Sequence, residues 1–226
     1  KYTTISCQGG SRSGKTRNIM FWLVAKAMKE NNLRISVVRG QLPALKRSVL
    51  QDFYCVIDAL GIRSIIKENK TDLIFRFPNG SWFEFFSCDD EEKLKGVAPD
   101  ILFVNEATEI LPNHYMQLNI RTNILRIIDY NPSYSDEHWI ASLNKKPNVF
   151  HFITTYKDNP FLSEILIDEI ESLKDTNKAL YQIYALGIQA VVEGLVFPTF
   201  NIVNEFPNTC RQVLLTMDLG YRPDPT

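Results

Sequence analysis

A glycine-rich stretch near the start of the sequence has the residue types and spacing of a phosphate-binding loop. It fits the pattern G-x-x-x-x-G-K-S/T without a mismatch and consists of Gly9, Gly10, Ser11, Arg12, Ser13, Gly14, Lys15 and Thr16. In this pattern the glycines let backbone N–H groups point at phosphates, the lysine reaches the β- and γ-phosphates, and the hydroxyl ligates Mg²⁺. We therefore predict that these residues bind ATP together with Mg²⁺.

One residue inside this loop has a charge that the pattern does not require. Arg12 could neutralise the charge that develops on the γ-phosphate during hydrolysis, acting as an arginine supplied by the same chain. It could equally be a solvated loop charge. The residue types alone leave both interpretations open.

An apolar run that ends in an amide and a carboxylate supplies the candidate catalytic group. Residues 101–104 are "ILFV", typical of a strand buried on both faces, and Asn105 and Glu106 follow. Many motor ATPases have Asp, for the Mg²⁺ shell, and then Glu, which activates water, at these two positions. Asn105 could still bind a Mg²⁺-bound water, but without charge. We predict Glu106 as the base; alternatively, Glu106 supplies the negative charge and Glu109 is the base, or Glu106 only caps a helix.

The remaining patterns indicate the elements that position these residues. Apolar alternation and short apolar runs predict strands at 2–7, 33–38, 101–104, 124–129 and 149–154 and a hairpin at 73–86. Helical spacing predicts helices at 16–30, 42–60, 135–145, 163–175 and 177–186. Strands that alternate with helices favour an α/β fold with a mostly parallel central sheet flanked by helices, here a P-loop NTPase of the catalytic-glutamate (ASCE) type.

The composition is that of an ordinary globular protein. The 226 residues are 45% hydrophobic and 23% charged, with a net charge of −1, so the surface as a whole is not built to wrap nucleic acid. No apolar run approaches the length of a bilayer span. Cys7, Cys55, Cys88 and Cys210 fit no metal-ligand spacing, and we expect reduced thiols. The chain begins and ends abruptly, so we expect a fragment of a longer protein.

Four segments together resemble the large terminase subunit of tailed bacteriophages or prophages, the motor that packages DNA into proheads. They are "GGSRSGKT", "ILFVNEATEI", "IIDYNPS" and "TTYKDNPFLS", in this order, and the resemblance covers essentially the whole chain. It departs from the general Asp-Glu pattern at Asn105. The resemblance implies an ATPase that drives translocation of double-stranded viral DNA into a prohead, with Mg²⁺ as cofactor.

The resemblance also implies partners and a location. The expected partners are double-stranded DNA, the portal protein and the small terminase subunit, and the active form is expected to be a homo-oligomeric ring of about five copies. The expected location is the cytoplasm of the bacterial host and not the mature virion. In a ring, a neighbour's arginine could complete each site, and Arg121 and Arg126 are the candidates.

Several further residues take roles from the resemblance. Asn131, within the segment 129–133, matches the coupling motif that senses the γ-phosphate, although its residue types alone are equally those of a turn. Candidate contacts with nucleotide or DNA are Arg39, Lys46 and Arg47, for which a solvated helix face is an equally good interpretation. Tyr156, Asp158 and Asn159 are first of all expected to be structural.

The end of the chain resembles the start of the second terminase domain, a ribonuclease-H-like nuclease. We predict an ATPase domain over 1–190 and, over 191–226, a linker and the first strands of a truncated nuclease domain. Asp218 in "VLLTMDLGYRPDPT" stands where the family has its first metal-binding carboxylate. Two-metal hydrolysis needs several carboxylates, so this chain is not expected to cut DNA.

Other functions fit the same loop. A helicase or recombinase core would separate strands or form filaments and would not depend on a prohead. A small-molecule kinase would transfer phosphate to an acceptor and would carry an arginine-rich lid, and no such cluster is evident in the sequence. A non-catalytic scaffold would bind ATP without hydrolysing it.

Overall fold

Eight strands form one mostly parallel sheet, which confirms the α/β fold class. The strands are β1 (Thr4–Gly9), β2 (Arg34–Arg39), β3 (Lys67–Asn69), β4 (Ile74–Arg76), β5 (Trp82–Ser87), β6 (Ile101–Val104), β7 (Leu125–Tyr130) and β8 (Val149–Thr154). Their order is β3-β4-β5-β2-β6-β7-β1-β8. β4 pairs antiparallel with β3 and β5, and every other pair is parallel. The carboxyl ends of β6, β7 and β1 therefore lie side by side.

The computed structural model describes residues 2–89, 94, 96–134 and 138–190. These residues belong to one compact unit. The predicted linker and nuclease strands at 191–226, with Asp218, lie outside the described residues. The division of the chain at residue 190 into an ATPase domain and the start of a nuclease domain therefore stays a prediction.

Helices cover both faces of the sheet. They are α1 (Lys15–Lys29), α2 (Leu42–Arg47), α3 (Val49–Ala59), α4 (Pro112–Arg121), α5 (Trp139–Asn144), α6 (Glu164–Thr176) and α7 (Lys178–Leu180), which continues as a π-helical turn (Tyr181–Ala185). Short 3₁₀ turns occupy Arg63–Ile65, Ala107–Glu109 and Tyr156–Asp158. Among the described helices, none is both long and apolar enough to cross a bilayer.

Period-2 alternation along the central strands explains why each face of the sheet has its own core. Ile101 and Phe103 of β6 join one apolar cluster with α1 and α3, whereas Leu102 and Val104 join another with α4 and α5. All four residues are fully buried, as the continuous apolar run predicts. The first core contains an aromatic cluster in which three rings surround the fourth: Phe53, Phe75, Phe83 and Phe85.

The structure corrects the predicted helix at 42–60, which is two helices separated at Ser48. The Ser48 hydroxyl donates to the Ala44 carbonyl at 2.8 Å and accepts from Nη1 of Arg39 at 2.5 Å. A side chain that bonds back to the preceding turn competes with a regular helix, and the Ser48 backbone leaves the helical region at φ −121° and ψ −96°. The predicted end of this segment at Gly61 is confirmed, since Gly61 has φ +67°.

Two elements were not predicted from the sequence, α4 and β3. In α4, Tyr115 and Leu118 are buried, but Met116 and Ile120 are 60% and 70% exposed. Apolar residues on both faces blur the helical spacing on which the sequence interpretation depends. β3 is the short polar segment "KEN", which pairs with β4 at one edge of the sheet and carries no apolar signal.

Candidate active site

A cavity of about 360 Å³ opens where β1, β6 and β7 end. It is lined by Gly10, Ser11, Arg12, Ser13, Gly14, Lys15, Thr16, Arg17, Asp52, Glu106, Asn131 and Asn159. The fold thus brings most of the predicted phosphate-binding loop together with Glu106 and Asn131, which are far apart in sequence. Ligand sites of open parallel sheets occur at this edge.

The loop can accommodate only glycine at several positions. Gly14 precedes α1 with φ +79°, a conformation that favours glycine. A Cβ on Gly10 would stand 2.1 Å from the carbonyl oxygen of Tyr184. Gly187 is equally close, because a Cβ there would lie 2.7 Å from the Gly10 nitrogen. Gln8 adds a bond from its Nε2 to the Gly187 carbonyl, at 2.8 Å. The loop is therefore packed directly against residues 184–187.

Lys15 lies at the centre of the cavity wall. Its Nζ donates to the carbonyl oxygens of Gly9 and Gly10 at 3.1 and 2.9 Å, and to Oδ1 of Asn131 at 3.0 Å. Burial lowers the pKa of Lys15, and the negative charges of Asp129 and Glu106 oppose that shift. The ammonium group is thus held between the loop and the end of β7, where it can meet a phosphate.

Behind the loop lies a polar cluster formed by Thr16, Asn105, Glu106 and Asp129. The Thr16 hydroxyl donates to Oδ2 of Asp129 at 2.5 Å. Nδ2 of Asn105 lies 2.9 and 3.2 Å from the two Asp129 oxygens, and the Glu106 N–H donates to Oδ1 of Asp129 at 2.9 Å. Burial raises the pKa of Asp129, while these donors and the charge of Lys15 act to lower it.

Glu106 adopts a backbone conformation that is uncommon for a residue with a side chain. Its φ of +51° and ψ of 59° lie in the left-handed region, and such strain is often stored at functional sites. The pKa of Glu106 is raised to about 7, first by burial and then by the charge of Asp129, while Lys15 and Arg39 act to lower it. The Glu106 side chain lines the cavity. Its raised pKa suits a group that accepts a proton near neutral pH.

Glu109, the alternative base, is placed differently. Both of its carboxylate oxygens accept from Arg39, at 3.0 Å from Nε and 2.7 Å from Nη2. It lines a separate cavity of about 470 Å³ together with Gly40, Cys88 and His114. The two glutamates therefore face different cavities, and only Glu106 of the pair lines the one that contains the loop.

The oxygen atoms at the end of the loop fit Mg²⁺. Thr16 offers a hydroxyl, Asp129 a carboxylate, and Oδ1 of Asn105 is buried without a hydrogen-bond partner among the described residues. The part of the chain that the structure describes contains no cluster of three or more His, Cys, Asp or Glu residues that could hold a metal. Mg²⁺ usually takes one or two carboxylates and completes its shell with phosphates and water, and Thr16, Asp129 and Asn105 supply oxygen atoms of that kind.

The arginine candidates have distinct surroundings. Arg12 is exposed in the loop with φ +61° and lines the cavity. Arg126 lies near the start of β7, at the end of the strands opposite the cavity. It donates to the carbonyl oxygens of Asn119 and Thr122 at the end of α4. Arg121 donates to a carbonyl one turn earlier in α4. Neither Arg121 nor Arg126 lines the cavity of its own chain.

Two of the other basic candidates lie on the surface of α2. Lys46 and Arg47 are exposed, and Nε of Arg47 donates to the Pro43 carbonyl at 3.2 Å. Arg39 is the most buried of the three, and its guanidinium forms a salt bridge with Glu109 and donates a hydrogen bond to Ser48. None of the three lines the cavity that contains the loop.

The segment after β8 is mainly structural, as the sequence predicts for it. Asp158 forms a capping box with Thr155, and Tyr156 is buried and bonds to Glu171 of α6. Asn159 differs, because its Nδ2 donates to the Arg12 carbonyl at 2.8 Å and its side chain lines the cavity. Asn159 therefore also braces the phosphate-binding loop.

Sequence reasoning missed the part that Asp129 plays in the site. It assigned Asp129 to the coupling segment only, and it did not assign Arg17 and Asp52, which line the cavity, to the site. A signal for Asp129 was present: Val104 pairs with Ile128, so the polar residues that end the two apolar runs, Asn105 and Asp129, come level with each other. Asp52 follows no motif and reaches the cavity through the packing of α3 against α1.

The fold and the loop define the class of protein: an α/β domain with a phosphate-binding loop between the first strand and helix of a mostly parallel sheet. Within that class, the family model for phage terminase large subunits matches residues 1–188. The chain therefore belongs to the phage terminase large subunit family, which confirms the resemblance seen in the sequence.

Curated relatives support this assignment. The terminase large subunit of Bacillus phage SPP1 is 27% identical over 96% of this chain and 57% of its own length. The PBSX phage terminase large subunit of Bacillus subtilis (strain 168) is 25% identical over 86% of this chain and 51% of its own length. The chain thus spans little more than half the length of the curated relatives that it matches.

Solved structures share the fold. A crystal structure of the large terminase of a thermophilic bacteriophage superposes with a TM-score of 0.74 at 22% identity, covering 89% of this chain and 52% of that one. The same terminase in complex with ADP gives a TM-score of 0.70 at 24% identity, covering 83% and 48%. It has also been solved with ATP-γ-S.

Proposed function

We propose that this chain is the ATPase part of a phage large terminase subunit, and that it hydrolyses ATP to drive double-stranded viral DNA into a prohead. The observation that carries the proposal is one cavity that joins Lys15, Glu106 and Asn131 at the ends of three adjacent strands. The family assignment supports the packaging role, and the nucleotide complexes of the related terminase support ATP as the substrate.

The loop residues bind the triphosphate. Backbone N–H groups from Gly10 to Thr16 and the positive end of α1 face the phosphates, because the first N–H groups of a helix have no partner within it. Lys15 neutralises the β- and γ-phosphates. Arg12, exposed at the mouth of the cavity, is the candidate for the charge that develops on the γ-phosphate.

Glu106 acts as the base in this proposal. It orients a water in line with the γ-phosphate and accepts a proton from that water as its oxygen bonds to the γ-phosphorus. The bond from this phosphorus to the β–γ bridging oxygen breaks in the same step, which releases ADP and phosphate. Asn131 contacts Lys15 and holds the ammonium group towards the γ-phosphate, which makes the end of β7 sensitive to the phosphate. Thr16 would hold Mg²⁺, which would supply positive charge to the phosphates when bound. Asn105 is expected to contribute its amide oxygen there.

The partners follow from the family. We expect the working form to be a ring of about five copies on the portal, with the small terminase subunit delivering DNA. The place of action is the cytoplasm of the bacterial host. Any nuclease activity belongs to the full-length protein, in which Asp218 would be one of several metal-binding carboxylates.

ATP turnover, measured with and without linear double-stranded DNA and with nucleotide binding followed in parallel, tests the proposal. We expect turnover that DNA stimulates and that Lys15→Ala lowers by about 10²-fold or more, because Lys15 supplies charge to the transferring phosphoryl group. Thermal unfolding of Lys15→Ala checks that the variant is folded.

The possible results separate the alternatives. Turnover without DNA stimulation, accompanied by phosphate transfer to a small acceptor, would indicate a kinase. Strand separation would indicate a helicase. Tight ATP binding without turnover, which persists when the chain is assembled on a portal, would indicate a scaffold. No ATP binding at all would refute the phosphate-loop assignment.

A further inference from the structure

The strand that carries Glu106 lacks the acid that usually precedes the catalytic glutamate. Asn105 stands there, and an amide brings no negative charge to a cation. A carboxylate is nevertheless present in the same place, because Asp129 follows the apolar run of the adjacent strand. Asp129 is 1% exposed and is the one charged side chain among the described residues that is buried to this degree.

Asp129 makes the contact with the loop that the missing acid would be expected to make. The Thr16 hydroxyl donates its proton to Oδ2 of Asp129 at 2.5 Å. A hydroxyl oxygen whose proton points to a carboxylate has its lone pairs directed elsewhere, and it is these lone pairs that ligate Mg²⁺ in phosphate-binding loops. Asp129 thereby orients the Thr16 oxygen for a cation.

The amide at position 105 is explained by the carboxylate at position 129. Nδ2 of Asn105 approaches the two oxygens of Asp129 to 2.9 and 3.2 Å. An aspartate at position 105 would bring two carboxylates to that distance, and like charges so close cannot both ionise without a large cost. An asparagine donates a hydrogen bond there instead.

A second observation points to a ligand at the same spot. Oδ1 of Asn105 is buried without a hydrogen-bond partner among the described residues, although Asn105 as a whole is 2% exposed. Buried polar atoms are nearly always satisfied, so an unpaired oxygen beside a buried carboxylate indicates a bound donor or a hydrated cation.

We propose that Asp129, and not a residue of the strand that carries Glu106, is the carboxylate that holds Mg²⁺ beside Thr16, with Asn105 as its neutral partner. The carboxylate is thus carried by β7, whereas the usual pattern places it directly before the catalytic glutamate, at the end of β6. This assignment rests on the proposed nucleotide site and adds a residue to it. It also places the Mg²⁺ carboxylate two residues before Asn131, on the segment expected to couple hydrolysis to movement.

The test compares nucleotide binding with and without metal, so that it does not depend on hydrolysis. A fluorescent non-hydrolysable ATP analogue is titrated into the whole chain in EDTA and in saturating Mg²⁺, and Mn²⁺ in place of Mg²⁺ is followed by electron paramagnetic resonance. We expect Mg²⁺ to tighten binding to the unmodified chain. Asp129→Asn should weaken the binding of the metal about 10- to 100-fold and leave binding in EDTA nearly unchanged.

The exchange variant Asn105→Asp/Asp129→Asn provides the matched control. It keeps one carboxylate and one amide but swaps their strands, and we expect it to recover part of the metal effect. Asp58→Asn, an exposed ion-pair residue on α3, should behave like the unmodified chain. Thermal unfolding in the same buffers shows which variants are folded.

Two results would overturn the assignment. One is an unchanged metal effect in Asp129→Asn. The other is an equal loss of binding in EDTA and in Mg²⁺, which would make Asp129 a brace of the loop and not a metal residue. If Asp129→Asn does not fold, a folded exchange variant that shows no metal effect also counts against it. Failure of the unmodified chain to bind nucleotide in either buffer would instead refute the proposed function.

Discussion

The two halves of the sheet bury different kinds of side chain at similar depth. Beside β4 and β5, the aromatic cluster places three rings 4.7 to 5.2 Å from the ring of Phe53. At the ends of β6 and β7, the polar cluster buries a carboxylate and an amide in contact with each other, and the carboxylate accepts from the half-buried hydroxyl of Thr16. Only the first region gains free energy simply by excluding water from its side chains.

This contrast separates what stabilises the fold from what performs chemistry. A buried aromatic side chain contributes through its area and needs no particular partner, whereas a buried carboxylate is tolerated only when donors or a cation face it. We therefore expect substitutions in the aromatic cluster to change stability first, and substitutions in the polar cluster to change activity first. Three substitutions test that separation, in decreasing order of expected effect.

The largest effect is expected at Glu106. Glu106→Gln removes the proposed base while keeping the size of the side chain, so ATP turnover should fall by about 10²- to 10⁴-fold. Nucleotide binding and the unfolding temperature should change little. The matched control is Glu109→Gln, since Glu109 is paired with Arg39 and faces the other cavity. A greater loss of turnover in Glu109→Gln than in Glu106→Gln would reverse the assignment of the base.

An effect of similar size, but on stability, is expected at Phe53. Phe53→Ala should lower the free energy of unfolding by about 3 to 5 kcal/mol, because it empties the centre of the aromatic cluster. Chemical denaturation measures this, and the KM for ATP of the remaining folded protein should be unchanged. Phe161→Ala, at a side chain that is 92% exposed, should change stability by about 0.5 kcal/mol or less. Equal effects at both positions would contradict the comparison.

The smallest effect concerns a half-buried carboxyl group in the aromatic half, that of Glu84. Burial raises the pKa of Glu84 above its usual value of 4.5, while a hydrogen bond from Ser36 acts to lower it. Because the folded pKa is the higher one, the stabilising state is fully present below pH 4.5 and is lost as the pH rises through the folded pKa. Stability of the unmodified chain should therefore decline over that range.

Glu84→Gln should remove the part of this decline that Glu84 contributes, whereas Glu106 and Asp129, whose pKa values are also raised, keep their parts. Relative to the unmodified chain, the free energy of unfolding of the variant should rise with pH by about 1 kcal/mol or less. Unfolding measured across a pH series tests this. Glu169→Gln, at an exposed position of α6, should follow the unmodified chain. A Glu84→Gln curve that runs parallel to that of the unmodified chain would show that the carboxyl group has no part in the pH dependence.

The sequence predicted the elements that bury one continuous or alternating apolar face. β6 and β7 follow from their apolar runs, and α1 follows from the spacing of Met20, Leu23, Val24 and Ala27. The phosphate-binding loop was predictable because its chemistry fixes both residue types and spacing. α4 was not, since its exposed Met116 and Ile120 hide the face that Tyr115 and Leu118 bury.

The sequence predicted those site residues that belong to a local segment with a recognisable pattern. The loop and Glu106 belong to such segments. Asp129 joins the site through strand register, and Asp52 joins it through helix packing, which are properties of the assembled sheet and not of any local pattern. Asn105 could be recognised as a departure from the usual acid, but its reason becomes visible only when the carboxylate on the neighbouring strand is known.

The contact between the loop and Gly187 has a mechanical consequence. A Cβ on Gly10 would collide with the Tyr184 carbonyl, a Cβ on Gly187 would collide with the Gly10 nitrogen, and the Gln8 side chain donates to the Gly187 carbonyl. A movement of the loop towards residues 184–187 has little room at these contacts, because even one added Cβ would not fit between the two backbones. Such a rearrangement would therefore be transmitted to residues 184–187, which form the end of the π-helical turn and the residues just after it.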